Sequence, residues 1–550
     1  MTATLARPAR GHRAEHRAER GSPARATGAW TLTRFALRRD RVRLPLWIAA
    51  AAGLVGIQSV SSQGVYDSPG ALEAYARAAE ASAAVVAMTG RPVGLDTVAR
   101  AVSFEIFATV AVVVCLMAVF TVVRHTRTDE EAGRAELVLS AQVGRRAPLL
   151  AALAVATAAC AAVAVAVGLV GVVTGLPAEG SWLLGASLGG TGLVLAGVAA
   201  VAAQVSEHGR AASAIGGVAI GVAFLLRAVG DVQQNVLSWL SPMGWGQAAY
   251  PFHLDRWWPL LLQVGTAVAL AVVAVALLDR RDVDAGLIRP RPGRRSAGPL
   301  LRGPLGLAWR LQRASFLGWG AGIVVTAVTY GSLVEATLDL VDAAPEIVEF
   351  LPGGADDLVD GYLVVSIGFM SLLVTAYAVI AALRARSEEQ AGRAEPVLAT
   401  PVHRWAFSGA HALVALVGSA VLMVGGGVVL GLTAVATGSD ERVLGDVVLA
   451  SVVTVPAVWV VVGVAVLLQG VSARAGSLAW LALAWAAVVL LLADSLDLPG
   501  WARGVSPFHH LPQVPLEEAS WGAPLVLTAL GLALVAAGLA AFRRRDLATE

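Results

Sequence analysis

Not one lysine occurs among the 550 residues; all 41 basic side chains are arginine. That absence excludes the phosphate-binding loop G-x-x-x-x-G-K-[ST], whose lysine reaches the β- and γ-phosphates. It equally excludes a kinase, which needs a strand lysine, and a Schiff-base enzyme, which needs an amine. Cysteine is nearly absent. Cys115 and Cys160 both fall in apolar runs, cannot build a zinc site alone, and read as core. Charge is scarce: 15% of residues are charged, against about 25% in soluble domains. What replaces it is apolar: 57% of residues are hydrophobic and the mean hydropathy is +0.70. The composition is that of an all-α polytopic membrane protein.

A bilayer core needs about 20 apolar residues per helix. Twelve stretches qualify: 44–63, 101–123, 148–175, 181–204, 211–230, 259–279, 316–337, 359–383, 409–436, 445–470, 474–496 and 522–541. The fifth is the weakest, because Ile215-Gly216-Gly217 lowers helix propensity, although small residues let membrane helices approach closely. Arginine is concentrated in the N-terminus, 124–147, 280–313, 384–408 and Arg543-Arg544-Arg545. It is sparse in 64–100, 231–258, 338–358 and 497–521. Positive loops face the cytoplasm, so both termini and the central linker are expected there. The first 43 residues carry eleven arginines and no apolar run of signal-peptide length. Residues 1–28 read as a disordered basic tail.

The most informative feature is an internal repeat. Arg127-Thr-Asp-Glu-Glu-Ala-Gly-Arg-Ala-Glu136-Leu-Val-Leu139 returns as Arg386-Ser-Glu-Glu-Gln-Ala-Gly-Arg-Ala-Glu395-Pro-Val-Leu398, at a constant offset of 259 residues, and Arg145 falls on Arg404. Ser241-Pro242 is echoed by Ser506-Pro507, and Arg281-Asp282-Val283 by Arg545-Asp546-Leu547. Arg38, Arg41 and Trp47 are echoed by Arg310, Arg313 and Trp319. The chain thus reads as two six-span halves, 29–283 and 304–550, joined by a Pro/Arg-rich linker at 284–303. Two parallel repeats imply a pseudo-two-fold axis along the membrane normal. Each half opens on an amphipathic stretch suited to the membrane interface. Trp30, Leu32, Phe35 and Leu37 alternate with arginines in the first, and Leu305, Leu307, Trp309 and Leu311 do so in the second. The alternative is an ordinary positive flank.

The repeated loop places Glu130 four residues before Arg134 and Glu389 four before Arg393, a spacing that supports a surface helix. Gly133 and Gly392 would bend such a helix, and Leu137, Val138 and Leu139 could anchor it. Fixing topology requires positive charge only, not acids held in register twice. A charged helix displayed twice suits docking of a soluble partner present in two copies.

The E-E-x-G-R-x-E-x-[VL]-L loop between the second and third spans resembles the coupling-helix region of type-2 ABC exporter permeases. The fused 12-span arrangement is similar to the actinobacterial exporters of polyketide antibiotics, the tetronasin-type permeases. The resemblance covers nearly everything but the first 28 residues and the linker. It implies a separate ATPase polypeptide carrying ATP and Mg2+, with no cofactor or catalytic residue in this chain. It implies that Asp129, Glu130, Gly133, Arg134 and Glu136 contact one ATPase copy, and that Glu388, Glu389, Gly392, Arg393 and Glu395 contact the other. Two departures stand out: Gln390 replaces Glu131, and Pro396 replaces Leu137, where it is expected to break the second helix early.

Few ionisable residues lie within spans. Arg227 and Asp231, four apart near the end of span 5, read as a snorkelling pair or as an outer gate. Glu105 and Glu335 lie near span ends and can reach water, and no acid sits clearly at a midplane. Gln204 and Gln469 hold similar places in spans 4 and 10 and read as interhelical hydrogen bonds or a substrate gate. Trp239, Trp245, Trp257, Trp258, Trp501 and Trp521 read as an interfacial belt or as part of re-entrant caps. His253 and His509-His510 have no carboxylate or cysteine companions, so no metal site is expected. Phe104, Phe107, Met117, Phe369 and Met370 are expected to line an apolar substrate path or simply to pack. The resulting expectation is an exporter permease in the bacterial cell membrane, moving a hydrophobic or amphipathic compound and binding no nucleic acid. The alternative is a 12-span secondary transporter driven by an ion gradient.

Overall fold

A spanning segment in lipid has no water to satisfy its backbone N–H and C=O groups, so it bonds internally as a helix. The computed structural model follows this rule. It describes residues 26–66, 69–281, 286–287, 296, 298–334, 355–493 and 498–546, and every regular element among them is helical. The basic tail Arg7 to Arg25, the linker Arg289 to Pro292, Asp282, Val283, Glu335 and Leu547 lie outside the described residues.

The chain divides into two compact units, 1–292 and 293–550. The first contains α1 (Ala29–Arg39), α2 (Arg43–Val65), α3 (Pro69–Ala81), α4 (Ala83–Thr89), α5 (Val98–Arg124), α6 (Arg127–Glu131), α7 (Arg134–Leu139), α8 (Ala147–Val173), α9 (Ala178–Val205), α10 (Gly209–Val232), α11 (Pro242–Gln247) and α12 (Pro259–Arg280). The second contains α13 (Pro304–Ser332), α14 (Ala355–Ala382), α15 (Arg384–Gln390), α16 (Ala394–Leu398), α17 (Arg404–Ala436), α18 (Arg442–Val471), α19 (Ala479–Leu492), α20 (Gly500–Arg503) and α21 (Gly522–Arg544).

Among the described residues, 11 helices are long and apolar enough to cross a membrane. The stretch at 474–496 departs from expectation. Its helix, α19, has 14 residues and is entered through a 3-10 turn at Ala475–Leu478. Gly476 and Ser477 are weak helix formers at the point where a full span would begin. The Gly-rich fifth stretch, by contrast, is one continuous helix of 24 residues. A methyl group at Gly216 would collide with the Val119 side chain on α5, so the small residue is what lets these helices touch.

In the first unit α5 and α9 are mostly buried while α2 and α12 face outward. Cys115, Met117, Cys160 and Leu188 belong to its core, and both cysteines are free. Met370, Tyr377, Met423 and Val458 belong to the core of the second unit.

The two amphipathic openings differ. In the first unit α1 is a separate helix that ends at Asp40. The Asp40 carboxylate is buried against Arg124 (3.1 Å) and His125 (2.7 Å). In the second unit the equivalent stretch is not separate, because α13 runs unbroken for 29 residues from Pro304. Gln312 stands at the position of Asp40 and bonds His411 (2.9 Å). Glutamine is a good helix former and aspartate a poor one, so the second helix continues where the first stops.

Candidate functional site

The repeated loop folds alike in both units: a short helix, a glycine, and a second short helix. These are α6 and α7 about Gly133, and α15 and α16 about Gly392. Both glycines are left-handed, with φ of +69° and +67°. Nothing lies within 4 Å of where a Cβ would stand. Conformation rather than space therefore demands glycine, since an L-residue there costs about 1–2 kcal/mol.

The bend replaces the i,i+4 pairing expected from an unbroken helix. Arg134 pairs with Asp129 (2.8 Å) and Arg393 with Glu388 (2.7 Å), five residues apart in each case. The bond to Glu388 raises the Arg393 pKa. Glu130 and Glu389 turn inward instead. Glu130 accepts from Arg127 (2.7 Å) and Arg281 (2.6 Å). Glu389 accepts two bonds from Arg545, at 2.7 and 2.5 Å. Arg281 and Arg545 cap the C-terminal ends of α12 and α21, the last helix of each unit. Their carbonyls in turn accept from Arg145 and Arg404, just before and at the start of α8 and α17. In each unit the loop is thus clasped to two spanning helices through one arginine.

Arg281 Nε also donates to Gln204 Oε1 on α9 (2.7 Å). In the second unit Gln469 Nε2 reaches the Ala382 carbonyl (3.1 Å), while Gln469 Oε1 and Arg545 Nε are buried without a hydrogen-bond partner. Arg127, fully buried, donates Nε to the Ala203 carbonyl (2.7 Å). Asp129 receives Arg39 of α1 (2.9 Å), and Glu131 receives the Gly209 N–H that opens α10 (2.9 Å). Gln390, at the place of Glu131, is exposed. Pro396 does not end its helix early: it lies in the first turn of α16, where its missing N–H is no loss.

Of the ten predicted coupling residues, Gly133, Arg134, Glu136, Gly392, Arg393 and Glu395 are exposed. Asp129 and Glu130 are half-buried, and Glu388 and Glu389 are buried. A cavity of about 270 Å³ lies under the first loop, walled by Phe35, Leu137 and Leu149 and floored by Glu130 and Arg281.

The other predicted residues scatter. Met117 and Met370 pack in the cores, and Phe369 is partly exposed beside Tyr330. Phe104 and Phe107 are buried and line a cavity at the opposite end of the first unit, whose wall includes Arg91, Arg100 and Arg256. Arg227 does not snorkel. It is fully buried, donates to the carbonyls of Val86 and Met88, and stands 3.9 Å from Asp231. Glu105 is half-buried and accepts from Gln58 (2.6 Å), Ser62 (3.0 Å) and Tyr66 (2.6 Å). Burial, reinforced by Glu105, pushes the Tyr66 phenol well above its ordinary pKa. Trp239 and Trp258 stack at 5.5 Å. Among the described residues no group of three or more His, Cys, Asp or Glu is placed to hold a metal.

Spectator loops need no such wiring. Long apolar helices whose polar loops are clasped to helix ends, twice over, define a multi-pass membrane protein of permease type. The family described as "Multidrug efflux system permease Rv1217c, C-terminal domain" matches residues 32–278 and again 301–543. The chain belongs to this permease family. It is 39% identical over 551 residues to "Multidrug efflux system permease protein Rv1217c" of Mycobacterium tuberculosis (strain ATCC 25618 / H37Rv), covering 98% of each chain. It is accordingly a transporter subunit rather than an enzyme.

Proposed function

We propose that the chain is the membrane subunit of an ATP-driven exporter, powered by two copies of a separate ATPase that carries the ATP and Mg2+. The observation that supports this most is the duplicated clasp. Each loop offers an exposed face, Arg134 with Glu136 or Arg393 with Glu395. Behind each face, Glu130 or Glu389 connects to the last helix of the unit. A partner pressing on the exposed face would move the end of α12 or α21 with the loop, as a rigid ion pair transmits displacement where a solvated loop would absorb it. The lack of lysine, which excludes a phosphate-binding loop here, supports placing nucleotide chemistry on the partner.

The cargo proposed is a hydrophobic or amphipathic drug-like compound, in line with the relative's description as a multidrug efflux permease. Polyketide antibiotics, suggested by the resemblance to tetronasin-type permeases, are the narrower candidate. The setting proposed is the bacterial cell membrane, with both termini, the linker and the two loops in the cytoplasm, as arginine asymmetry indicates. Substituting Glu136→Ala with Glu395→Ala alters only exposed side chains. The double variant should reach the membrane in normal amount and lose co-purification of the ATPase. Undiminished co-purification, or transport driven by a proton gradient in the absence of any ATPase, would overturn the assignment.

A further inference from the structure

At the end of the first unit opposite the loop lies a cavity of about 230 Å³. It is bounded by the start of α5, the residues after α4, and the connection between α10 and α12. Three guanidinium groups line it, those of Arg91, Arg100 and Arg256, against one carboxylate, Asp231. That carboxylate is already engaged by the Ser238 hydroxyl (2.7 Å) and by Arg227 (3.9 Å). The lining therefore carries an excess of positive charge.

Arg100 is only 5% exposed. It donates to the Val93 carbonyl (2.9 Å) and the Ser103 hydroxyl (2.9 Å), both neutral. Asp96 attracts Arg100 without forming an ion pair, and a buried guanidinium with no direct ion pair is stabilised when an anion bonds to it. Tyr250 stands 5.4 Å from Arg100 and 5.9 Å from Arg256, so its ring orients both. Phe104, Phe107 and Trp239 supply aromatic surface beside the cations. The connection that forms one wall is strained, at Tyr250 in the wall itself and at three residues near it in sequence. All four non-glycine residues with positive φ among the described residues, Gln234, Tyr250, Phe252 and Asp255, fall in this connection. Such strain persists only where the surroundings enforce it, and it gathers at ligand sites.

We infer that this cavity binds an amphipathic anion. Its carboxylate or phosphate would sit on Arg91, Arg100 and Arg256, with an aromatic ring or acyl chain against Phe104, Phe107 and Trp239. Pockets that enclose whole drug-sized ligands span about 300–1,000 Å³, so this one takes the anionic head and the adjoining portion of a larger molecule. The inference rests on the geometry of the first unit and does not depend on what drives transport.

The test is calorimetric titration of the full chain in phosphatidylcholine nanodiscs, with empty discs as the reference. The probes are 2-naphthoate, neutral 2-naphthamide and 2-naphthylmethylammonium. Naphthoate should bind saturably at one site, at least tenfold more tightly than either isostere. The double variant Arg91→Gln with Arg256→Gln, both exposed positions, should lose at least tenfold of that affinity. Repeating the titration with phosphatidylglycerol in the discs separates two sources of the anion. Weakened naphthoate binding to the unsubstituted protein marks a lipid phosphate as the occupant, and unchanged binding marks a soluble carboxylate. Absence of naphthoate binding, equal binding of naphthoate and naphthamide, or an unaffected double variant would overturn the inference.

Discussion

In the first unit Arg281 is bonded by Glu130 on one side and by Gln204 on the other. In the second, Arg545 holds Glu389 through two bonds, while its Nε and the Oε1 of Gln469 are both left without a hydrogen-bond partner. The same contrast recurs elsewhere. Ser241 caps α11 through Met243 and Gly244 and donates to the Ala223 carbonyl, whereas the buried hydroxyl of its counterpart Ser506 has no partner. Arg127 Nε is bonded and Arg386 Nε is not. One loop geometry thus rests on two unequal supports. The first is a network that shares its load among several groups. The second holds its arginine through one carboxylate with two short bonds, and Arg545 Nε has no partner like Gln204 to retain it when that carboxylate is lost. Two docking points of the same shape can therefore respond differently to the same push.

The sharpest way to break this comparison is to remove the inward acid from each unit in turn. Glu130→Ala strips one carboxylate from two buried arginines, Arg127 and Arg281, and should cost about 3–5 kcal/mol even though Gln204 still binds Arg281. Glu389→Ala removes two charged hydrogen bonds from the half-buried Arg545 and should cost about 1.5–3 kcal/mol. Thermal unfolding of the purified proteins reads the difference, and equal losses would show that the supports are equivalent. Next in size is the glutamine pair. Gln204→Leu removes a hydrogen bond to a charged group, worth about 1.5–3 kcal/mol, while Gln469→Leu loses one neutral bond, worth about 1 kcal/mol. A larger loss at Gln469 would reverse the ranking of the two clasps.

The glycines sharpen the comparison from the other side, since the loops themselves match. Gly133→Ala and Gly392→Ala should each cost about 1–2 kcal/mol, and faster amide exchange should appear in the short helices of both loops alike. Unequal effects there would place the asymmetry in the loops and not in their supports. The smallest contrast is at the serines. Ser241→Ala should cost about 0.5–2 kcal/mol as a lost helix cap, and Ser506→Ala should stay within about 0.5 kcal/mol. Melting temperatures of the two variants decide it.

Much of this was legible in the sequence because apolar runs and echoes at a constant offset are one-dimensional signals. Eleven of the twelve predicted spans are helices of spanning length. The exception, 474–496, is apolar enough, but hydropathy does not register that Gly476 and Ser477 favour a tighter turn at its start. The repeated loop was visible as a motif, and its glycine bend was anticipated from Gly133 and Gly392. Its ion pairs were not. A helical period pairs Glu130 with Arg134, and a left-handed glycine cancels that period.

The partners that matter lie 151 and 156 residues away in the chain, beyond any local pattern. Their signal was present in another form: Arg281 and Arg545 recur at nearly the same offset as the loops they hold. Arg127 and Arg386 opened the motif but were passed over, since a buried arginine looks like a solvated one in sequence. The cavity arginines were missed for a related reason. Arg91, Arg100 and Arg256 are dispersed along the chain and meet only when the α10–α12 connection folds over the start of α5.

The central claim is that each unit docks one ATPase. Native mass spectrometry of the permease purified with its ATPase tests it most directly. The account predicts two ATPase copies on the unsubstituted permease, one when Arg134 and Glu136 alone are replaced by alanine, and one when Arg393 and Glu395 alone are replaced. A complex that keeps both copies in each of these single-loop variants, or that never holds more than one, would contradict it.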